Sequence, residues 1–250
     1  MDNRNFSLQH LIEYYPVKQL LFSTCSDPIE SFEMFLILLQ QIFRPPESVV
    51  LSVNVRMFSD FERIKKWKIH CGKLHMLLET LDATNKVIPI GYILDNFPMT
   101  NFRCLRGKVE QGFKYENPIK IRTIRIHGHW ITIQNLIDMD SAYIYVRSPN
   151  LTVEDLKLYV EKWMSGETGL NLKCLCIGFL PLPLFHETFS KLEVYPMSKI
   201  EYRRGDLDWN RHYRNEPIAG FDVRRKSTNM AKATVRMEAD SETFLFHVHG

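Results

Sequence analysis

Between Ile119 and Leu192 the chain alternates three times between a short β-like run and a helical one. "IKIRTIRIHGHWITIQNLIDM" gives a strand over Ile121–His127 and a short helix capped by Thr132. "SAYIYVRSPN" gives the next strand, and "LNLKCLCIGFLPLPLFHETFSKL" gives a strand and a helix again. This order restricts the fold, because successive strands lie parallel only when a crossover of about a dozen residues or more joins them. The strands share a spacing, apolar at positions 1, 4 and 6. Ile121, Ile124 and Ile126 hold it in the first and Leu172, Leu175 and Ile177 in the third, while the middle strand fits at Ile144 and Val146 but carries Ser141 at its first position.

The clearest helix runs between the second and third strands, "NLTVEDLKLYVEKWMSG". Leu156, Tyr159, Val160, Trp163 and Met164 fall on one face of a 3.6-residue period, so that face requires burial. Thr152 is placed to accept from an orphan amide at the N-terminus, Glu154 and Asp155 complement the dipole, and Gly166 supplies a left-handed stop. The strand spacing resembles that of leucine-rich repeats, with irregular intervals of 20 residues from Ile124 to Ile144 and 31 from Ile144 to Leu175. The expected fold is α/β, an irregular leucine-rich-repeat-like βα solenoid closed by a C-terminal β-hairpin made from "KATVRME" and "TFLFHVHG".

Upstream, "ESVVLSVNV" reads as a strand and "SDFERIKKWKI" as a helix capped by Ser59 or Asp60. "GKLHMLLETLDA" reads as a second helix with Leu74, Leu77, Leu78 and Leu81 on one side, and "KVIPIGYI" as a further strand. The run "MFLILL", Met34 to Leu39, reads as a buried helix, since it is far shorter than the ~20 residues of a bilayer span. The expected organisation is an N-terminal helical segment over 1–46 and a βα domain over 47–250.

A 45% hydrophobic and 12% aromatic composition over 250 residues provides for a sizeable core. The formal charge of +3, with bases and acids interspersed, gives no support to a nucleic-acid or membrane-surface role. The polar start "MDNRNFSLQH" lacks a secretory pattern, and five cysteines at irregular spacing fit reduced thiols, so a cytoplasmic or nuclear location is expected.

His127 with His129, Cys174 with Cys176, and His247 with His249 each alternate in a way that points two potential ligands to one side of a strand. None has the spacing of a structural zinc site, and His70, Cys71 and His75 match no ligand pattern, so no metal and no cofactor is expected. No nucleophile elbow, phosphate loop, dinucleotide fingerprint or His-Glu-x-x-His occurs; "HETF" at His186 lacks its second histidine. Arg204–Asp206 reads as a solvated turn, Cys174 has no identifiable base, and Trp130 and Trp163 read as core anchors. No catalytic residue is assigned.

The run "HWITIQNLIDMDSAYIYVRSPNLTVEDLKLYVEKWMSG" resembles the type 2 F-box-associated domain of nematodes, through Trp130, Thr132, Leu136, Met139, Leu151, Thr152, Asp155, Leu156, Lys162, Trp163 and Gly166. "LNLKCLCI" and the later "GFDVRRKSTNMAKATVRM" extend the likeness, so it covers 119–180 and 218–237; Ser141 departs from it where relatives often have cysteine. The resemblance implies a non-enzymatic protein-interaction domain, a substrate-recognition module related to receptors of cullin-RING (SCF) ubiquitin ligases. Its partners would be a target protein of unknown identity and the SCF adaptor, the latter through an F-box. "PVKQLLFSTCS", Pro16 to Ser26, resembles an F-box in Leu20, Phe22, Ser23, Cys25 and Ser26, with Lys18 and Gln19 replacing the expected Glu and Leu. It reads either as a degenerate F-box or as a strand or helix of the main domain. The alternative function is a free-standing binding, decoy or scaffold protein with no ligase connection.

If the three strands lie side by side, the residues between their buried positions share one face, and the expected partner-binding residues are Arg125, His127, Tyr143, Tyr145, Arg147 and Cys174, beside Cys176. Arg125, Tyr145 and Arg147 are expected to contact the partner, as tyrosine and arginine are enriched among residues that carry binding energy. The competing expectation is that the C-terminal hairpin folds over this face.

Overall fold

The residues described by a computed structural model of the chain are 10–13, 18–21, 48–54, 73–79, 87–104, 109–147, 149–178, 185–196, 217–226, 231–238 and 243–249. They fall into two units, Met1–Gln111 and Gly112–Gly250.

In the first unit β1 (His10–Glu13) and β2 (Lys18–Leu21) pair antiparallel, where a helical segment was expected. Then β3 (Ser48–Asn54), β4 (Lys73–Glu79) and β5 (Asn101–Cys104) form a parallel ladder in that order, with helix α1 (Ile90–Asn96) between β4 and β5. Two sequence readings are corrected here. "KLHMLLE" is a strand, not a helix: Leu74, Met76 and Leu78 are buried and alternate with half-buried His75 and Leu77. A leucine-rich run this short satisfies both periods, and the parallel ladder between β3 and β5 decides between them. "KVIPIGYI" enters a helix instead of a strand. Pro89 stands at the N-cap with a helix-compatible φ of -77°, and Ile90 and Ile93 are buried one turn apart. The expected helices at Met34–Leu39 and after Ser59, and the residues His70, Cys71 and Arg204–Asp206, lie outside the described residues.

The second unit holds β6 (Thr123–His127), α2 (Ile133–Asp138), β7 (Tyr143–Arg147), α3 (Val153–Ser165), β8 (Cys174–Gly178), α4 (Phe185–Phe189), β9 (Pro217–Arg224), β10 (Lys232–Glu238) and β11 (Thr243–Val248). Its strands form a mixed sheet in the order β6-β7-β8-β11-β10-β9, parallel through β8 and antiparallel beyond it. The fold is therefore not a leucine-rich-repeat-like βα solenoid. Among the described residues of this unit, two helical crossovers precede the antiparallel return, and the C-terminal hairpin joins β8 edge to edge through β11, widening the sheet in its own plane.

The local signals around the two crossovers hold. The hydroxyls of Thr132 and Thr152 each accept from the amide three residues on, Asn135 at 3.2 Å and Asp155 at 3.1 Å, and the backbone N–H of each threonine donates back to that residue's side chain, Asn135 Oδ1 at 3.0 Å and Asp155 Oδ2 at 2.8 Å, forming two capping boxes. Gly166 takes φ 85° at the end of α3, the left-handed conformation that its lack of a Cβ permits. Gly128 is required for a different reason: a Cβ there would lie 2.8 Å from Ile131 Cγ1 and 2.9 Å from Val146 Cγ1, so the tight passage from β6 to α2 has no room for a side chain.

The core of this unit lies on the helix-covered side of the sheet. Trp163 and Tyr159 of α3 are completely buried and meet Phe246 of β11 edge-on, with ring centroids 5.1 and 6.2 Å apart. Phe189 of α4 contacts Phe221 and Phe244. Arg225, just past β9, is a buried guanidinium: Nε donates to the carbonyl of Trp163, and Nη2 to those of Thr168 and Gly169, each at 3.0 Å, while the group lies 4.6 Å from the Trp163 ring centroid. It ties the carboxyl end of α3 to the antiparallel half of the sheet.

Candidate functional site

Alternation along a strand and fixed pairing between strands together assign every side chain to one face. The β6–β7 and β7–β8 ladders place Thr123 beside Tyr143 and Cys174, Arg125 beside Tyr145 and Cys176, and His127 beside Arg147 and Gly178. All six sequence-predicted site residues thus share one face, opposite the buried Ile124, Ile126, Ile144, Val146, Leu175 and Ile177.

Exposure divides them. Arg147 is exposed, and Arg125, His127 and Tyr143 are half-buried. Tyr145 and Cys174 are buried, as is Cys176. The part of the face open to solvent is therefore its β6–β7 end, carrying two guanidiniums, an imidazole and a phenol. The side chains there are interlocked. The Arg125 guanidinium lies 4.8 Å from the centroid of the Tyr145 ring.

Burial, first, and the nearby Cys176 thiol push the Tyr145 hydroxyl above its ordinary range, with Arg125 and Arg147 pulling the other way. Burial lowers the pKa of His127, and the positive charge of Arg147 and the neighbouring His129 lower it further. Such a surface offers directional donors, fixed cations and aromatic area. Both thiols of β8 are buried.

Sequence reasoning missed the continuation of this face into the antiparallel half. There the row Tyr143, Cys174 runs on through His247, Thr234 and Asp222. The Asp222 carboxylate, almost completely buried, pairs with Lys232 Nζ at 2.8 Å and accepts from Thr234 Oγ1 at 2.5 Å, and that oxygen is 2.8 Å from His249 Nε2. Alternation in "KATVRME" places Lys232 and Thr234 together; no local pattern gives their pairing with Asp222. His247 and His249 meet edge-on at 5.5 Å. Among the described residues no three His, Cys, Asp or Glu side chains gather as metal ligands, and no helix is long and apolar enough to cross a membrane.

The second unit thus has a mixed sheet backed by helices on one side, with Arg147 exposed and Arg125, His127 and Tyr143 half-buried on the other. Residues 114–177, the stretch that contributes β6, α2, β7, α3 and nearly all of β8, match the F-box associated family, a family of protein-interaction modules. It is similar to an uncharacterized protein of Caenorhabditis elegans, 18% identical over 213 residues, which cover 83% of this chain and 48% of that relative. The chain spans about half the length of that curated relative. No solved structure matches it.

Proposed function

We propose that this chain is a non-enzymatic substrate-recognition module of the kind carried by receptors of cullin-RING (SCF) ubiquitin ligases, and that it presents its target-binding surface on the β6–β7 face. One observation carries the reading: the F-box associated match over 114–177 coincides with the elements that build that face. Helices α2 and α3 hold the strands in register from behind, leaving Arg125, Tyr143 and Arg147 to vary in function without altering the core.

A specific observation favours the second reading, a free-standing binding or decoy protein. An F-box is a helical bundle, whereas Lys18–Leu21, inside the stretch that resembles one, forms strand β2. Affinity purification of the tagged chain separates the two. Recovery of the SCF adaptor and cullin together with a protein lost on Arg147→Glu is the outcome expected of a receptor module. Recovery of that protein without the adaptor assigns the decoy role, and an Arg147→Glu variant that captures everything the parent does removes this face as the target site.

A further inference from the structure

Among the described residues, the strand positions on the β6–β7 face carry formal charge of one sign only. Of the nine positions that β6, β7 and β8 place on this side of the sheet, Arg125 and Arg147 carry formal charge and none is Asp or Glu. The chain as a whole is close to balance, 32 Lys and Arg against 29 Asp and Glu.

We propose that this face docks an extended, carboxylate-rich segment of a partner protein, with Asp or Glu at alternate positions. The proposal rests on the protein-interaction reading above and names the chemistry of the partner. Arg125 and His127 stand two residues apart on β6, about 6.7 Å along the strand, and Arg147 is the cross-strand neighbour of His127, about 4.8 Å away. Alternate side chains of an extended segment laid along β6 repeat at the same ~6.7 Å. One carboxylate then reaches Arg125 while the next reaches Arg147, each guanidinium offering the planar fork that matches a carboxylate. The cation–π contact holds Arg125 against the Tyr145 ring, so little side-chain freedom remains to be lost on binding. Half-buried Tyr143, two residues before Tyr145 on the same face, offers the intervening residues an aromatic body with a hydroxyl tip.

The test uses the full chain and fluorescence anisotropy with three labelled peptides: alternating aspartate and serine, the same peptide with asparagine for aspartate, and a peptide of serine and phosphoserine without carboxylate side chains. Expected is binding of the aspartate peptide about tenfold or more tighter than the asparagine peptide, weakened about tenfold by Arg147→Glu or Arg125→Gln. Lys191→Glu, the same charge change as Arg147→Glu on an exposed residue just after α4 and hence on the helix-covered side, should leave binding unchanged. Equal binding of aspartate and asparagine peptides overturns the proposal. So does an equal loss in Lys191→Glu and Arg147→Glu, or binding of the phosphoserine peptide alone. Should Arg125→Gln fail to fold, the exposed Arg147 decides. Loss of partner capture in Arg147→Glu without aspartate-peptide binding refutes the carboxylate chemistry and leaves the face as a docking surface; intact capture refutes both.

Discussion

The two faces of the second unit's sheet lie one residue apart in sequence and have opposite chemistry. Ile124, Ile144, Leu175, Phe246, Val235 and Phe221 form one continuous cross-strand row, all apolar, against α3 and α4. The adjacent row, Arg125, Tyr145, Cys176, Leu245, Arg236 and Gly220, faces the other way and mixes charge, aromatic, thiol and glycine. The first row has to fill space, because each member meets neighbours from the helices or the next strand, and any change of volume is felt. The second is free of that demand at its β6–β7 end. Under the proposed function, recognition falls to the less buried members of the second row, Arg125 and its neighbours on β6 and β7, and stability to the first.

The largest expected effect lies on the apolar side. Trp163→Ala removes a completely buried indole and its edge contact with Phe246, and should cost about 3–5 kcal/mol. Thermal melting that matches the parent would break the division between the faces, since it would mean that this core does not need its largest member.

Arg225→Met comes next. It removes three hydrogen bonds at once, though the carbonyls of Trp163 and Gly169 keep the amides of Gly166 and Leu172, at a cost of about 1–3 kcal/mol, to be read from the midpoint of urea unfolding. An unchanged midpoint would show that the carboxyl end of α3 is held by its glycine stop alone.

Acid should act through the polar side. Burial lowers the pKa of His127, with Arg147 and His129 adding to it. Burial also lowers that of His249, where Asp222 opposes the shift and Lys232 adds to it. Both folded values lie below the ordinary 6.5, so below that pH the unfolded chain binds more protons than the folded one. Stability from these groups is fully present above about pH 6.5 and lost as pH falls through their lowered values. Melting temperatures between pH 7 and pH 5 should fall less steeply for His127→Gln than for the parent. Equal slopes would mean that the imidazole is as hydrated in the folded chain as in the unfolded one.

The smallest effect is expected at Arg147→Ala, an exposed position on the recognition side, with a stability change within about 0.5 kcal/mol. A larger loss in calorimetry would place this guanidinium in the structural framework and shrink the proposed surface. Tyr145 sharpens the contrast from within the same face, because it is buried and shields the strand beneath Arg125. A Tyr145→Ala change should therefore reduce stability as well as binding.

The sequence by itself determined what depends on a few neighbouring residues. The capping boxes at Thr132 and Thr152, the glycine stop at Gly166, the buried stripe of α3 and the apolar spacing of β6, β7 and β8 are contained in windows of six to seventeen residues. The family likeness over 114–177 was readable for the same reason. Tertiary structure alone decided the rest. Pairing of β11 with β8 joins segments about seventy residues apart and turned an expected solenoid into a mixed sheet. Pairing of β4 between two parallel strands overrode a leucine pattern equally suited to a helix. Depth along the open face was also hidden from the sequence, since strand alternation fixes which way Tyr145, Cys174 and Arg147 point but not what covers them. Periodicity and capping are properties of the local backbone, whereas sheet neighbours and burial depend on which distant segments give the lowest free energy when packed together.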